Sequence, residues 1–161
     1  MNKYLLLLLL FFASWAVSAQ DGKAIYMKYC QTKGVEAAYI SQEMFDMFGR
    51  LPKIEVLDED LDLSPIVRKL TGLYMLESKH ARVSDRIRAD VEAWVRRVGF
   101  SLIMRDRDDD EETEIYALFD GDKVSSLLFF AREDRSEVEF ILIEGDILKE
   151  DLNRLLIHSK K

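Results

Sequence analysis

The chain carries 30 acidic against 23 basic residues in 161, a net charge of −7. That balance excludes the basic footprint of a nucleic-acid binder and repels the chain from anionic lipid surfaces. The single cysteine, Cys30, cannot close a disulfide within the chain, and no repeat, Pro-rich linker or low-complexity tract divides a length that suits one domain.

Residues 1–19 read as a secretory signal peptide. Lys3 supplies the positive start, Tyr4 to Ala16 an apolar run with six consecutive leucines, and Val17-Ser18-Ala19 a small-residue cleavage site. The apolar run, about 13 residues, falls short of the ~20 that span a bilayer. The mature product is therefore expected to start at Gln20, to form a single α+β domain over 20–161, and to be periplasmic without membrane insertion.

A short helix is predicted from Lys23 to Lys33, stopped by Gly34, then a strand from Val35 to Ile40. Ser41 is a good N-cap for a helix over Gln42 to Phe48, with Gly49 as its stop. Pro52 to Leu63 alternates charged and aliphatic residues and reads as strand or loop. Ser64-Pro65 suits a helix start, reaching about Leu70, and LYML after Gly72 reads as a strand. Val83 to Val98 has the strongest helical pattern: Val83, Ile87, Val91, Trp94, Val95 and Val98 share one side, and Gly99 ends it.

From Phe100 to Ile143 four apolar runs alternate with polar breaks, the pattern of an antiparallel meander. A turn centred on Asp110 sets Met104 opposite Tyr116 and Leu102 opposite Leu118. A loop at Asp120-Gly121 sets Phe119 opposite Asp122. A loop at Asp134-Arg135 sets Phe129 opposite Phe140. One face then holds Phe100, Leu102, Met104, Leu127, Phe129 and Phe140. The other holds Ile115, Phe119, Leu128, Phe130, Ile141 and Ile143, and neither is a solvent face, which is unusual for an antiparallel sheet. The run Val124 to Ala131 is uncharged and β-prone, so it is placed as a central strand with Phe129 in the main helix-covered core. After Gly145, Asp146 is expected to cap a last helix, Ile147 to Ile157, with Leu148, Leu152, Leu155 and Leu156 as its stripe.

The fold class is thus α+β: a mainly antiparallel sheet of four to six strands with helices packed on it. The Val83–Val98 and Ile147–Ile157 helices are assigned to the first face, and Lys23 to Phe48 with Ser64 to Leu70 to the second. Any part of the second face left open makes Ile115, Phe119, Leu128, Phe130, Ile141 and Ile143 a partner-binding face, for an envelope protein or a second copy of the chain.

The chemistry-bearing residues are sparse. Asp106, Asp108 and Asp110 match the first ligand positions of an EF-hand, but Glu111 stands where glycine is required and Ala117 where glutamate is required. The loop also lies between strands, so it reads as a solvated acidic hairpin. His80 and His158 have no second ligand at metal spacing. No serine elbow or phosphate loop occurs. Cys30 and Met27, Met44, Met47, Met75 and Met104 read as core residues. The arginines Arg82, Arg86, Arg88, Arg96 and Arg97 could bind an anion, but interleaved Asp85, Asp90 and Glu92 favour a salt-bridged solvent face. No catalytic residue, cofactor or metal site is expected.

The signal ending SAQ, GVEAAYISQEMF, LTGLYMLES, the helix before GFSLIM, IYALFDGDKVSSLLFFARED and VEFILIEGDILKEDLNRL together resemble a family of small secreted Bacteroidota proteins. That family is known only as a domain of unknown function, number forty-two fifty-two. The resemblance spans nearly all of the mature chain and implies a secreted α+β domain of the cell envelope; it carries no catalytic residue. The functional expectation is a non-enzymatic binding or accessory module. A regulator of envelope-stress (sigma/anti-sigma) signalling and a small acid-base hydrolase are the alternatives.

Overall fold

The computed structural model describes residues 21–48, 54–56, 59–61, 66–133 and 136–152. Six strands form one antiparallel sheet: β1 (Val35–Ser41), β4 (Leu70–Ser78), β5 (Ser101–Arg107), β6 (Glu111–Asp120), β7 (Lys123–Glu133) and β8 (Glu137–Leu148), in the order β1-β4-β8-β7-β6-β5. Among the described residues the short strands β2 (Ile54–Val56) and β3 (Glu59–Leu61) form a separate two-stranded antiparallel sheet. The helices are α1 (Asp21–Tyr29), α2 (Gln42–Phe48) and α3 (Ala81–Val98). The α+β class and the meander follow the sequence expectation, and β7 is central, between β8 and β6.

Helix α3 forms where its apolar stripe recurs every three to four residues, and buries Ile87, Val91, Trp94 and Val95. Gly99 ends it in the left-handed region at φ 86°, its N–H bonding to the Val95 carbonyl, a conformation that costs other residues a Cβ clash. Helices α1 and α3 share one face of the sheet, where Ile25, Tyr29, Leu76, Leu128, Phe130, Phe140 and Leu142 form the first core. On the opposite face Phe45 of α2, Ile66, Val67 and Leu152 cover Leu73, Ile115, Ala117, Leu127, Phe129, Ile141 and Ile143, the second core. Both sheet faces are therefore apolar because both are covered, by separate parts of the chain. The N-terminal segments divide: α1 joins α3, and only α2 and the residues before β4 reach the second face.

The hairpin registers depart from the expected ones. Asp120 pairs with Lys123, so Gly121 (φ 60°) and Asp122 form the loop. Ser125 is then an extra residue: Phe119 pairs with Val124 but Leu118 with Ser126. Its hydroxyl donates to the Leu118 carbonyl at 3.2 Å. Beyond this bulge Ile115 faces Phe129. Across the next hairpin Phe130, not Phe129, faces Phe140, because the ladder closes at Glu133 and Glu137. A second bulge between Leu102 and Met104 sets Met104 opposite Ile115 and Leu102 opposite Tyr116. A one-residue change exchanges a strand's faces. Phe129 thus lies in the second core and Phe130 under α3, the reverse of the expectation.

The predicted last helix is also corrected. Residues 145–148 remain in β8, with Gly145 opposite Leu70 and Ile147 opposite Val124. A Cβ at position 145 would stand 2.4 Å from the Lys69 carbonyl oxygen, so glycine permits this strand crossing. Asp146 is not a cap; its carboxylate takes a hydrogen bond from Lys123 Nζ at 2.7 Å. Helical residues begin only at 149, and Leu155 and Leu156 lie outside the described residues. The helix expected from Ser64 is a single 3-10 turn, Val67–Lys69, because Leu70 already pairs with β8. Met75 and Met104 are partly buried, whereas Met27, Met44 and Met47 are exposed. Cys30 packs at the margin of the first core.

Candidate functional site

Ser84, Arg88 and Glu92 stand one helical turn apart on α3, so they project from one side of it. The Ser84 hydroxyl, fully buried, donates to the Ser136 carbonyl at 2.7 Å and lies 3.1 Å from the Ser78 carbonyl. These contacts pin the start of α3 to the end of the sheet. Arg88, a turn further on, hangs over the β5–β6 hairpin, and Glu92 reaches Arg132 of β7 at 3.4 Å.

Beneath them lies a carboxylate that the strand pattern turns inward. Glu114 of β6 is 3% exposed. Its Oε1 accepts from Arg105 Nε at 2.9 Å and Nη2 at 2.5 Å, and its Oε2 from Arg132 Nη2 at 3.3 Å. Arg132 also meets Glu112 at 2.6 Å. Such a charge is tolerable in a protein interior only with partners of this kind. The hydrogen bonds that Arg105 donates to Glu114, and the charge of that carboxylate, push the Arg105 guanidinium still further above its usual range. Burial first, and then Glu114, push the Tyr116 phenol up.

Above this network opens a cleft of about 300 Å³, lined by Arg88, Arg107, Arg132 and residues 108–112. Arg132 is engaged by carboxylates through Nη1 and Nη2, whereas Arg88 is held only loosely: its nearest carboxylate, Asp85, is 3.7 Å from Nη1. Its Nε and Nη2, like Arg132 Nε, are shielded from solvent without an acceptor. Asp109 N–H bonds to the Asp108 carboxylate at 2.8 Å and Asp108 N–H to the Glu111 carbonyl, which shapes the acidic tip.

A second polar cluster sits near the β1 edge. Tyr39, half exposed, stacks on Tyr74 with centroids 4.9 Å apart, and Tyr26 leans on Tyr74 at 5.4 Å. Burial, then the Glu144 charge, push the Tyr74 phenol well up. Burial likewise raises the Glu144 carboxyl, against the opposing effects of Lys23 and the Tyr74 hydrogen bond. This supplies one carboxyl with altered acidity, whereas glycosidase-type chemistry needs a facing pair.

The six residues grouped by sequence as a partner-binding face do not share a face. Ile115, Ile141 and Ile143 lie in the second core, Leu128 and Phe130 in the first, and Phe119 is exposed at 38%. The two charged features weighed separately, Arg88 and the acidic hairpin, are brought together across the cleft. Glu114, Arg105 and Arg132 were missed; a glutamate at the start of the apolar run EIYALF was their only signal. Among the described residues no group of three His, Cys, Asp or Glu could hold a metal ion, and no helix is long and apolar enough to cross a membrane. His158 lies outside the described residues.

The family model described as Domain of unknown function (DUF4252) matches residues 26–155. No curated protein and no solved structure matches the chain.

Proposed function

Because this chain belongs to the DUF4252 family, whose description brings no activity with it, we propose a function from its own residues: an exported cell-envelope protein acting as a non-enzymatic binding or accessory module. The observation that carries the binding reading is the cleft between α3 and the β5–β6 hairpin. There Arg88 faces the hairpin carboxylates Asp109, Asp110 and Glu111 without pairing with them. The buried carboxylate beneath them is engaged by two guanidiniums and has no free role in proton transfer. Export is supported by the charged start, apolar run and small-residue site within residues 1–19. Intact mass of the protein recovered from an envelope fraction tests it. A chain starting at Gln20 is expected; one retaining residues 1–19 overturns export with cleavage.

A second reading, regulation of envelope signalling through protein contacts, is favoured by edge strand β5. Leu102 and Ile103 are exposed there beside an unpaired ladder edge among the described residues. Such edges accept a partner strand.

A further inference from the structure

We infer that the cleft takes a small zwitterion, a free α-amino acid or a dipeptide, with its carboxylate on Arg88 and its ammonium on the acidic tip of the β5–β6 hairpin. The inference rests on the binding-module reading and names its ligand. Three observations converge on it.

The guanidinium of Arg88 makes no hydrogen bond among the described residues, and two of its nitrogens are shielded from water without an acceptor. A shielded donor left unmet is costly, and a charged one more so. A carboxylate entering the cleft supplies the close charge partner that Asp85, at 3.7 Å from Nη1, does not, and its geometry suits a guanidinium. Opposite, Asp109, Asp110 and Glu111 make no ion pair among the described residues and stay exposed. A simple anion approaching Arg88 meets these carboxylates, and a simple cation approaching them meets Arg88, Arg107 and Arg132. A ligand with both charges is attracted by both walls. Finally, about 300 Å³ lies at the small end of ligand sites and suits one or two amino-acid residues. The hairpin rim is open to solvent, so affinity is expected at about the millimolar level.

The probes are diglycine, sodium acetate and methylamine, titrated into the ¹⁵N-labelled protein and followed by NMR. Diglycine is expected to shift the Arg88 Nε–H and the amides of residues 107–112 at lower concentration than either singly charged probe. Arg88→Gln should weaken diglycine about tenfold, the loss of one charge-assisted contact, while leaving the remaining spectrum in place. Asp110→Asn, at an exposed position, is the second variant and should reduce the diglycine preference even if Arg88→Gln fails to fold. Equal response to acetate and diglycine makes the site one for anions, and equal response to methylamine makes it one for cations; either overturns the proposal. So does the absence of any shift at tens of millimolar diglycine. Export is read from the N-terminal mass, so a correctly processed protein that ignores diglycine overturns the ligand class alone.

Discussion

Glu114 shows how one side chain can set the polarity of a sheet end. Its neighbours in β6, Thr113 and Ile115, point to the second core, so Glu114 itself must point under α3. Burial makes it dependent on Arg105 and Arg132. The two arginines differ: the Arg105 side chain is 52% exposed and the Arg132 side chain 17%. Replacing Glu114 by Gln leaves Arg132 with Glu112 and Glu92, so the cost should be about 2–4 kcal/mol, somewhat below that of breaking an isolated buried pair. Arg105→Gln should cost clearly less, because water screens its exposed guanidinium. Urea unfolding of the two variants checks this; equal losses would show that Glu114 is not the buried centre of the network.

At the scale of elements, α1 depends on its dock. A Cβ at Gly22 would lie 2.3 Å from Leu142 Cδ2 and 2.8 Å from Trp94, so α1 approaches both β8 and α3 closely. At its other end Lys28 Nζ and the Tyr29 hydroxyl both donate to Asp90 of α3, at 2.5 and 2.7 Å. Burial alone would raise the Asp90 carboxyl, but these two hydrogen bonds outweigh it and hold the group below the usual range. A carboxyl lowered in the folded state stabilises it above the unfolded pKa, about 4, and loses that contribution as pH falls further. Asp90 is 35% exposed, so Asp90→Asn should cost only about 1 kcal/mol at pH 7. Unfolding midpoints measured from pH 7 to 3 should show the parent and the variant converging at the acid end. A gap that stays constant with pH would mean that the Asp90 charge does not hold α1.

For the whole molecule, two cores on opposite faces of one sheet make its centre the part hardest to open. Strands β7 and β8 contribute to both: Phe129 and Ile141 on one side, Phe130 and Phe140 on the other. The edge strands do not share this cover, since nearly every residue of β5 is exposed and β1 is exposed over 36–39. Amide hydrogen exchange should accordingly be slowest in β7 and β8 and fastest in β1 and β5, because local opening requires breaking fewer apolar contacts at the edges. Protection of β5 equal to that of β7 in a dilute monomer would contradict this ranking.

Local sequence determined the elements whose signal is local. The stripe of Val83, Ile87, Val91, Trp94 and Val95 marked α3, with Gly99 as its end, and Ser41 marked the start of α2 at Gln42. The apolar character of both sheet faces was equally plain. Tertiary structure alone decided which face received Phe129 and which Phe130. With apolar residues on both sides of β7, neither register is penalised by exposing them, so the choice falls to bulges at Ser125 and Ile103 and to where the last hairpin closes. The same holds for the end of β8, where pairing with β7 and β4 overrides the helix signal at Asp146. The cleft was legible only as separate parts, an arginine of α3 and an acidic hairpin. Their meeting depends on the strand order of the whole sheet, because side chains distant in sequence come into contact only once long-range pairing has placed their strands.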